Sequence, residues 1–237
     1  MNSSDPIPAV VESDATGDIK NIFDDIKSVT GVDVVNLVWR RLAKTENALP
    51  YLWGVLRPLY ESGFINHQAV EFQNQLVLPK LPKFKDEILF ASGIDNLGKI
   101  TINNILVSYN RTNTVNLIAL QAALITLTGA EDVMLEPTHK KAVSDNLLPM
   151  PRLPAISDLN PTIISLVKEL NSLGEEDGTI IASMYRHLAY WPNYLALVKI
   201  ALEPLASSGE LKRAIEKSRE QSANKALSLS KFLVPFS

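Results

Sequence analysis

Three histidines, His67, His139 and His187, and no cysteine at all limit the chemistry open to this chain of 237 residues. Histidines so far apart make no ligand spacing of the HExxH kind, so a dedicated metal site is not expected. Without a thiol there is no disulfide, thiolate ligand, CxxC redox pair or cysteine nucleophile. The densest run of candidate groups is Ser183, Met184, Tyr185, Arg186 and His187. There an arginine, whose planar fork binds both oxygens of a carboxylate, stands beside an imidazole one helical turn from residue 184. His187 is the obvious proton acceptor in that run. Trp53 and Trp191 have no cofactor motif around them, and Glu203, directly before Pro204, reads as exposed.

The element that must position this run occurs twice. Residues 39–63 and 185–209, 146 positions apart, align without gaps and share ten identities: Arg40/Arg186, Leu42/Leu188, Ala43/Ala189, Asn47/Asn193, Leu49/Leu195, Leu56/Leu202, Pro58/Pro204, Leu59/Leu205, Ser62/Ser208 and Gly63/Gly209. Chance gives roughly one or two, so the match reads as a duplicated unit, with the seam between its copies as the place for a ligand. Arg40 and Arg186, identical in both copies, read first as structural bonds to helix-end carbonyls. His187 pairs with Arg41, which places it on the solvated side; Met184 pairs with Val38 and reads as core filler.

The apolar spacing is helical throughout: Ile19, Ile22, Phe23 and Ile26 repeat at three and four residues, as do Ile163, Leu166, Val167 and Leu170. No stretch alternates with period two, so the fold class is all-α. Further helices are expected near 33–45, 47–61, 66–76, 84–92, 97–110, 114–129, 178–190, 193–206 and 209–228. Pro58 and Pro204 should kink or end their helices, with Gly63 and Gly209 as C-terminal caps. The expected organisation is an N-terminal tail (1–16), a first helical repeat (17–130), a proline-rich linker (131–161) and a second, truncated repeat (162–237). A composition of 46% hydrophobic and 21% charged residues is that of an ordinary globular chain, and a net charge of -3 gives no basic footprint for nucleic acid. The N-terminus lacks a signal pattern and the longest apolar stretch is interrupted by Asn116 and Gln121, so a cytoplasmic protein without a membrane span is expected.

The segment WRRLA, the stretch FASGID with INNILVSYNRTNTVNLIALQAAL, the linker LLPMPRLPAISD and the segment LAYWPNYLALV with LEPLA resemble the group I 2-haloacid dehalogenases, also called halocarboxylic acid dehydrogenases. The resemblance spans most of residues 8–228. It implies an all-α pseudo-dimer of two repeats, a cofactor-independent hydrolase, and a cleft between the repeats for a small 2-halo acid. In that family an aspartate and an asparagine activate a water that displaces the halide directly with inversion, without a covalent ester. Neutral water is a poor nucleophile at saturated carbon, so a carboxylate must take its proton while a second group aims it.

Carried over by position, the family's asparagine falls on Asn113, in the expected break YNRTN between two helices, where it could equally be an N-cap. The family's aspartate falls on Met184, and a thioether has no proton affinity near neutral pH. Ser183 matches a pocket serine; aromatic residues expected near Val34 and Leu37 are aliphatic here. A further departure is the missing counterpart, in the second repeat, of the last two helices of the first. Such a half would expose an apolar patch, for which a homodimer is the favoured cover. The expected function is a divergent, C-terminally shortened dehalogenase-like protein without the family's hydrolysis. The alternatives are a non-catalytic binder of small carboxylic acids or apolar ligands, with Ser183 and Arg186 as binding residues, or a structural protein. No cofactor, nucleic acid or membrane partner is implied.

Overall fold

A computed structural model describes residues 8–128, 150–174 and 181–233. His139, most of the proline-rich stretch, the start of the helix expected from 178 and the last residues of the tail lie outside them. The secondary structure of the described residues is helical: α1 (Gly17–Thr30), α2 (Leu37–Leu42), α3 (Ala48–Glu61), α4 (Phe64–Gln75), α5 (Asp86–Ala91), α6 (Asn96–Leu127), α7 (Pro161–Ser172), α8 (Ser183–Leu188), α9 (Pro192–Ser207) and α10 (Glu210–Ser230), with single 3-10 turns at Glu12–Asp14 and Ile156–Asp158. Among the described residues no helix is long and apolar enough to cross a membrane.

The chain forms two compact units, interleaved in sequence. One comprises described residues 8–76, 110–128 and 218–233; the other comprises 77–109, 150–174 and 181–217. Helices α6 and α10 therefore each give one part to each unit.

In the unit that begins at residue 8, α1 buries Phe23 and Ile26 and ends at Gly31, whose φ of 67° is left-handed. Only glycine takes that conformation without a Cβ penalty. The centre is aromatic: Trp39 meets Trp53 edge-on at 5.5 Å and Tyr60 at 6.2 Å, a favoured arrangement of ring quadrupoles. Their polar ends are satisfied. The Trp39 Nε1 (3.3 Å) and the Tyr60 hydroxyl (2.8 Å) both donate to Asn116 Oδ1 on α6, and Trp53 Nε1 donates to Asp25 at 2.7 Å. Arg57 grips the same carboxylate through Nε and Nη2, at 2.8 and 3.1 Å. The arginine holds Asp25 below the usual carboxylate range.

In the other unit, α7 opens on an Asn160 cap to Thr162 N (2.9 Å) with Pro161 in its first turn. It packs Val167 and Leu170 with Leu188, Leu195, Ile102 and Ile105. Gly98 is required there: a Cβ would lie 2.8 Å from Trp191 Nε1.

One expected break is absent. Helix α6 runs unbroken through YNRTN, because that segment contains neither proline nor glycine. The Thr114 hydroxyl back-bonds to Asn110 O at 2.7 Å, and asparagine costs a helix only a few tenths of a kcal/mol, about 0.7 at most. Asn113 is thus an exposed mid-helix residue, not a cap.

Candidate binding groove

Helix α8 divides the candidate residues between two faces. Met184, Tyr185 and Leu188 line an open groove of about 560 Å³, closed on other sides by residues 81–84, by α6 residues such as Lys99, Asn103 and Leu106, and by Tyr194, Val198 and Leu202 of α9. The intervening residues, Arg186 and His187, point the other way and are buried. This follows from the 100° step per residue, which sets 184, 185 and 188 on one side and 186 and 187 on the other.

On the buried face the side chains bind the backbone of the proline-rich stretch. Arg186 donates through Nε (3.2 Å) and Nη2 (2.7 Å) to Pro154 O, and just beyond the helix the exposed Tyr190 donates through its hydroxyl to Arg152 O at 2.8 Å. His187 Nε2 lies 2.9 Å from Pro151 O and its Nδ1 lies 2.7 Å from the Tyr109 hydroxyl. A carbonyl only accepts, so Nε2 carries the proton and Nδ1 accepts from Tyr109. Burial, followed by the neighbouring Arg186 charge, pushes the imidazole pKa down, against the opposing pull of the Pro151 carbonyl.

This corrects the expected surface position of His187. The matched Arg41 is exposed, but at 187 a tyrosine and a carbonyl satisfy both ring nitrogens and permit burial. The pairing leaves no ring nitrogen free to serve as a base.

The groove itself is apolar with donors at its edges. Its described lining contains Lys83, Lys99, Asn103, Tyr185 and Tyr194, and no carboxylate. Burial raises the pKa of Tyr185 and of Tyr194, so both remain protonated donors. Lys99 also faces a neighbouring acidic cleft of about 370 Å³ lined by Asp86, Glu87 and Asp95, and it donates to Asp86 at 2.5 Å. Lysine has three donors, so this bond leaves others for the groove.

Ser183 starts α8 and is half-buried, but does not line the groove. Asn113 belongs to the other unit. Val34 is exposed and Leu37 half-buried. Among the described residues no group of histidine and carboxylate side chains is arranged to hold a metal ion.

Sequence reasoning passed over Asn103, Lys83, Lys99 and Tyr194, which carry no motif. It also passed over Asn116, which read only as an interruption of an apolar run. A buried amide in such a run must find partners, and that was the available signal. Beside it lies a cavity of about 20 Å³, also lined by Asn36, Asn66 and Thr112, room for a single water.

No model of a known protein family matches the chain. Over 227 residues it is 25% identical to a configuration-inverting 2-haloacid dehalogenase of Alcaligenes xylosoxydans xylosoxydans, covering 90% of this chain and 73% of that protein. Two solved structures share its fold at 16% identity, each covering 95% of this chain and 89% of the other. They are a D-2-haloacid dehalogenase mutant, with a TM-score of 0.68, and a mutant of a D-2-haloacid dehalogenase in complex with D-2-CPA, at 0.65. The chain is thus similar in sequence to a 2-haloacid dehalogenase and has the all-α fold of the D-2-haloacid enzymes.

Proposed function

We propose that this dehalogenase-like chain does not hydrolyse 2-haloacids and instead binds carboxylic acids in the groove beside α8. One observation carries the reading: Met184, at the position where the resemblance puts the catalytic aspartate, lies in the wall of a groove whose described lining has no carboxylate. Displacement of halide by water needs a proton acceptor at the moment of attack. Neither a thioether nor a histidine with both nitrogens bonded supplies one. A binding role fits the rest of the lining, in which apolar walls bury a ligand's body and a few cationic and hydroxyl donors fix an acidic group. An open volume of about 560 Å³ favours this over a structural protein whose old pocket is filled by side chains.

The test is titration calorimetry with carboxylates on wild type and on Met184→Asp. A carboxylate placed in that wall repels the ligand's own, so the variant should bind at least about tenfold more weakly. Asn113→Ala, outside the lining, should leave affinity unchanged. Equal binding by wild type and Met184→Asp would remove the groove as the site.

A further inference from the structure

The groove's size and the placement of its charges narrow the ligand, on the premise that the groove is a carboxylate site. At about 560 Å³ it falls within the roughly 300–1,000 Å³ that holds drug-sized molecules, several times what a three-carbon acid fills. Its lining is rich in carbon: Phe84, Ile102, Leu106, Met184, Val198 and Leu202 contribute alkyl and aryl surface. Met184 is unbranched and polarisable, which suits a wall that must follow a flexible chain. The two cations are exposed, so they stand at the solvent side of an apolar trough.

We infer that the groove binds a medium-chain carboxylic acid, of about eight to twelve carbons, with its chain along the apolar walls and its carboxylate toward Lys83, Lys99 and Asn103. Charge complementarity selects this occupant. An uncharged lipid would leave the lysines unused, and a cationic amphiphile would meet them as like charges. A short acid would leave most of the apolar wall in water. Asp86 takes one of the Lys99 donors, and the remaining Lys99 donors, Lys83 and the Asn103 amide serve the ligand's head.

The experiment is calorimetric titration of the wild-type protein with butanoate, hexanoate, octanoate and decanoate, each below its micelle concentration, and with the matched primary alcohols. Each added methylene, worth about 0.8 kcal/mol on burial, should tighten binding about fourfold until the trough is filled. Each acid should bind at least about tenfold more tightly than its alcohol. Lys83→Met with Lys99→Met together should erase the preference for acid while keeping the chain-length gradient. An affinity that does not change with chain length overturns the inference and leaves the short-acid reading standing; alcohols equal to acids overturn the role of the lysines. Failure of every acid to bind overturns both this inference and the carboxylate site itself, whereas chloride release from a haloacid contradicts only the loss of hydrolysis.

Discussion

Helices α3 and α9 come from the two matched segments and end alike, yet one is core and the other is a wall. Each has a proline four residues before its terminal serine, which donates to the carbonyl three residues back: Ser62 to Leu59 O at 3.1 Å, Ser208 to Leu205 O at 3.2 Å. Each then turns at a left-handed glycine, Gly63 at φ 75° and Gly209 at φ 72°. Burial separates them: α3 buries Leu49, Trp53, Val55, Leu56, Leu59 and Tyr60, whereas α9 buries only Leu195. The positions matching Trp39, Trp53 and Tyr60 hold Tyr185, Lys199 and Ala206. Where the aromatic trio fills its unit, smaller or charged residues follow the same backbone pattern, and the α9 side keeps its groove. A helix frame set by caps and glycines tolerates opposite uses of its face, because side-chain volume decides whether a face is filled.

The largest effect expected from that contrast is at Trp53. Trp53→Ala removes a buried ring set edge-on to Trp39 and the donor to Asp25, and should cost about 3–5 kcal/mol in denaturant unfolding. Lys199→Ala, at the matching position, loses only solvent-screened ion pairs with Glu203 and Glu169 and should shift the unfolding midpoint far less than Trp53→Ala. Equal costs would break the contrast between core and wall.

At the turns the contrast should vanish. Gly63→Ala and Gly209→Ala each force a Cβ into the left-handed region, and each should destabilise by about 1–2 kcal/mol. A loss at only one of them would show that the two frames are not equivalent.

The smallest effect is a pH dependence carried by α8. His187 is neutral in the fold with its pKa pushed down, while in the unfolded chain it titrates near pH 6.5. Lowering the pH therefore protonates the unfolded state first. Its contribution to stability is complete above about pH 6.5 and is lost as pH falls from there through the folded value. The denaturation midpoint should drop over that window in wild type and flatten in His187→Gln, which leaves the matched Arg41 untouched. The groups around the imidazole are Tyr109, Arg186 and the Pro151 carbonyl.

Most helices were legible in the sequence because apolar residues three and four apart must share a buried face, as Ile19, Ile22, Phe23 and Ile26 do. The continuity of α6 was not, since Asn and Thr in YNRTN weaken a helix only slightly and their back-bonding is invisible in a string of letters. His187 was misplaced for a related reason: its partner Arg41 predicted solvent, but the Tyr109 hydroxyl that permits burial lies 78 residues away. Met184 was identifiable as a departure only through the resemblance. Its place in an open groove depended on Lys83, Asn103 and Tyr194, which come from distant segments and carry no motif.

The central claim is that a groove whose described lining has no carboxylate does not run the water displacement of the haloacid dehalogenases. Its most direct test is chloride release by the purified wild-type chain from each enantiomer of 2-chloropropionate, followed over hours at neutral pH. The account predicts release at the rate of buffer alone for both enantiomers. Release that rises in proportion to protein concentration, with the inverted 2-hydroxy acid as product, would contradict it.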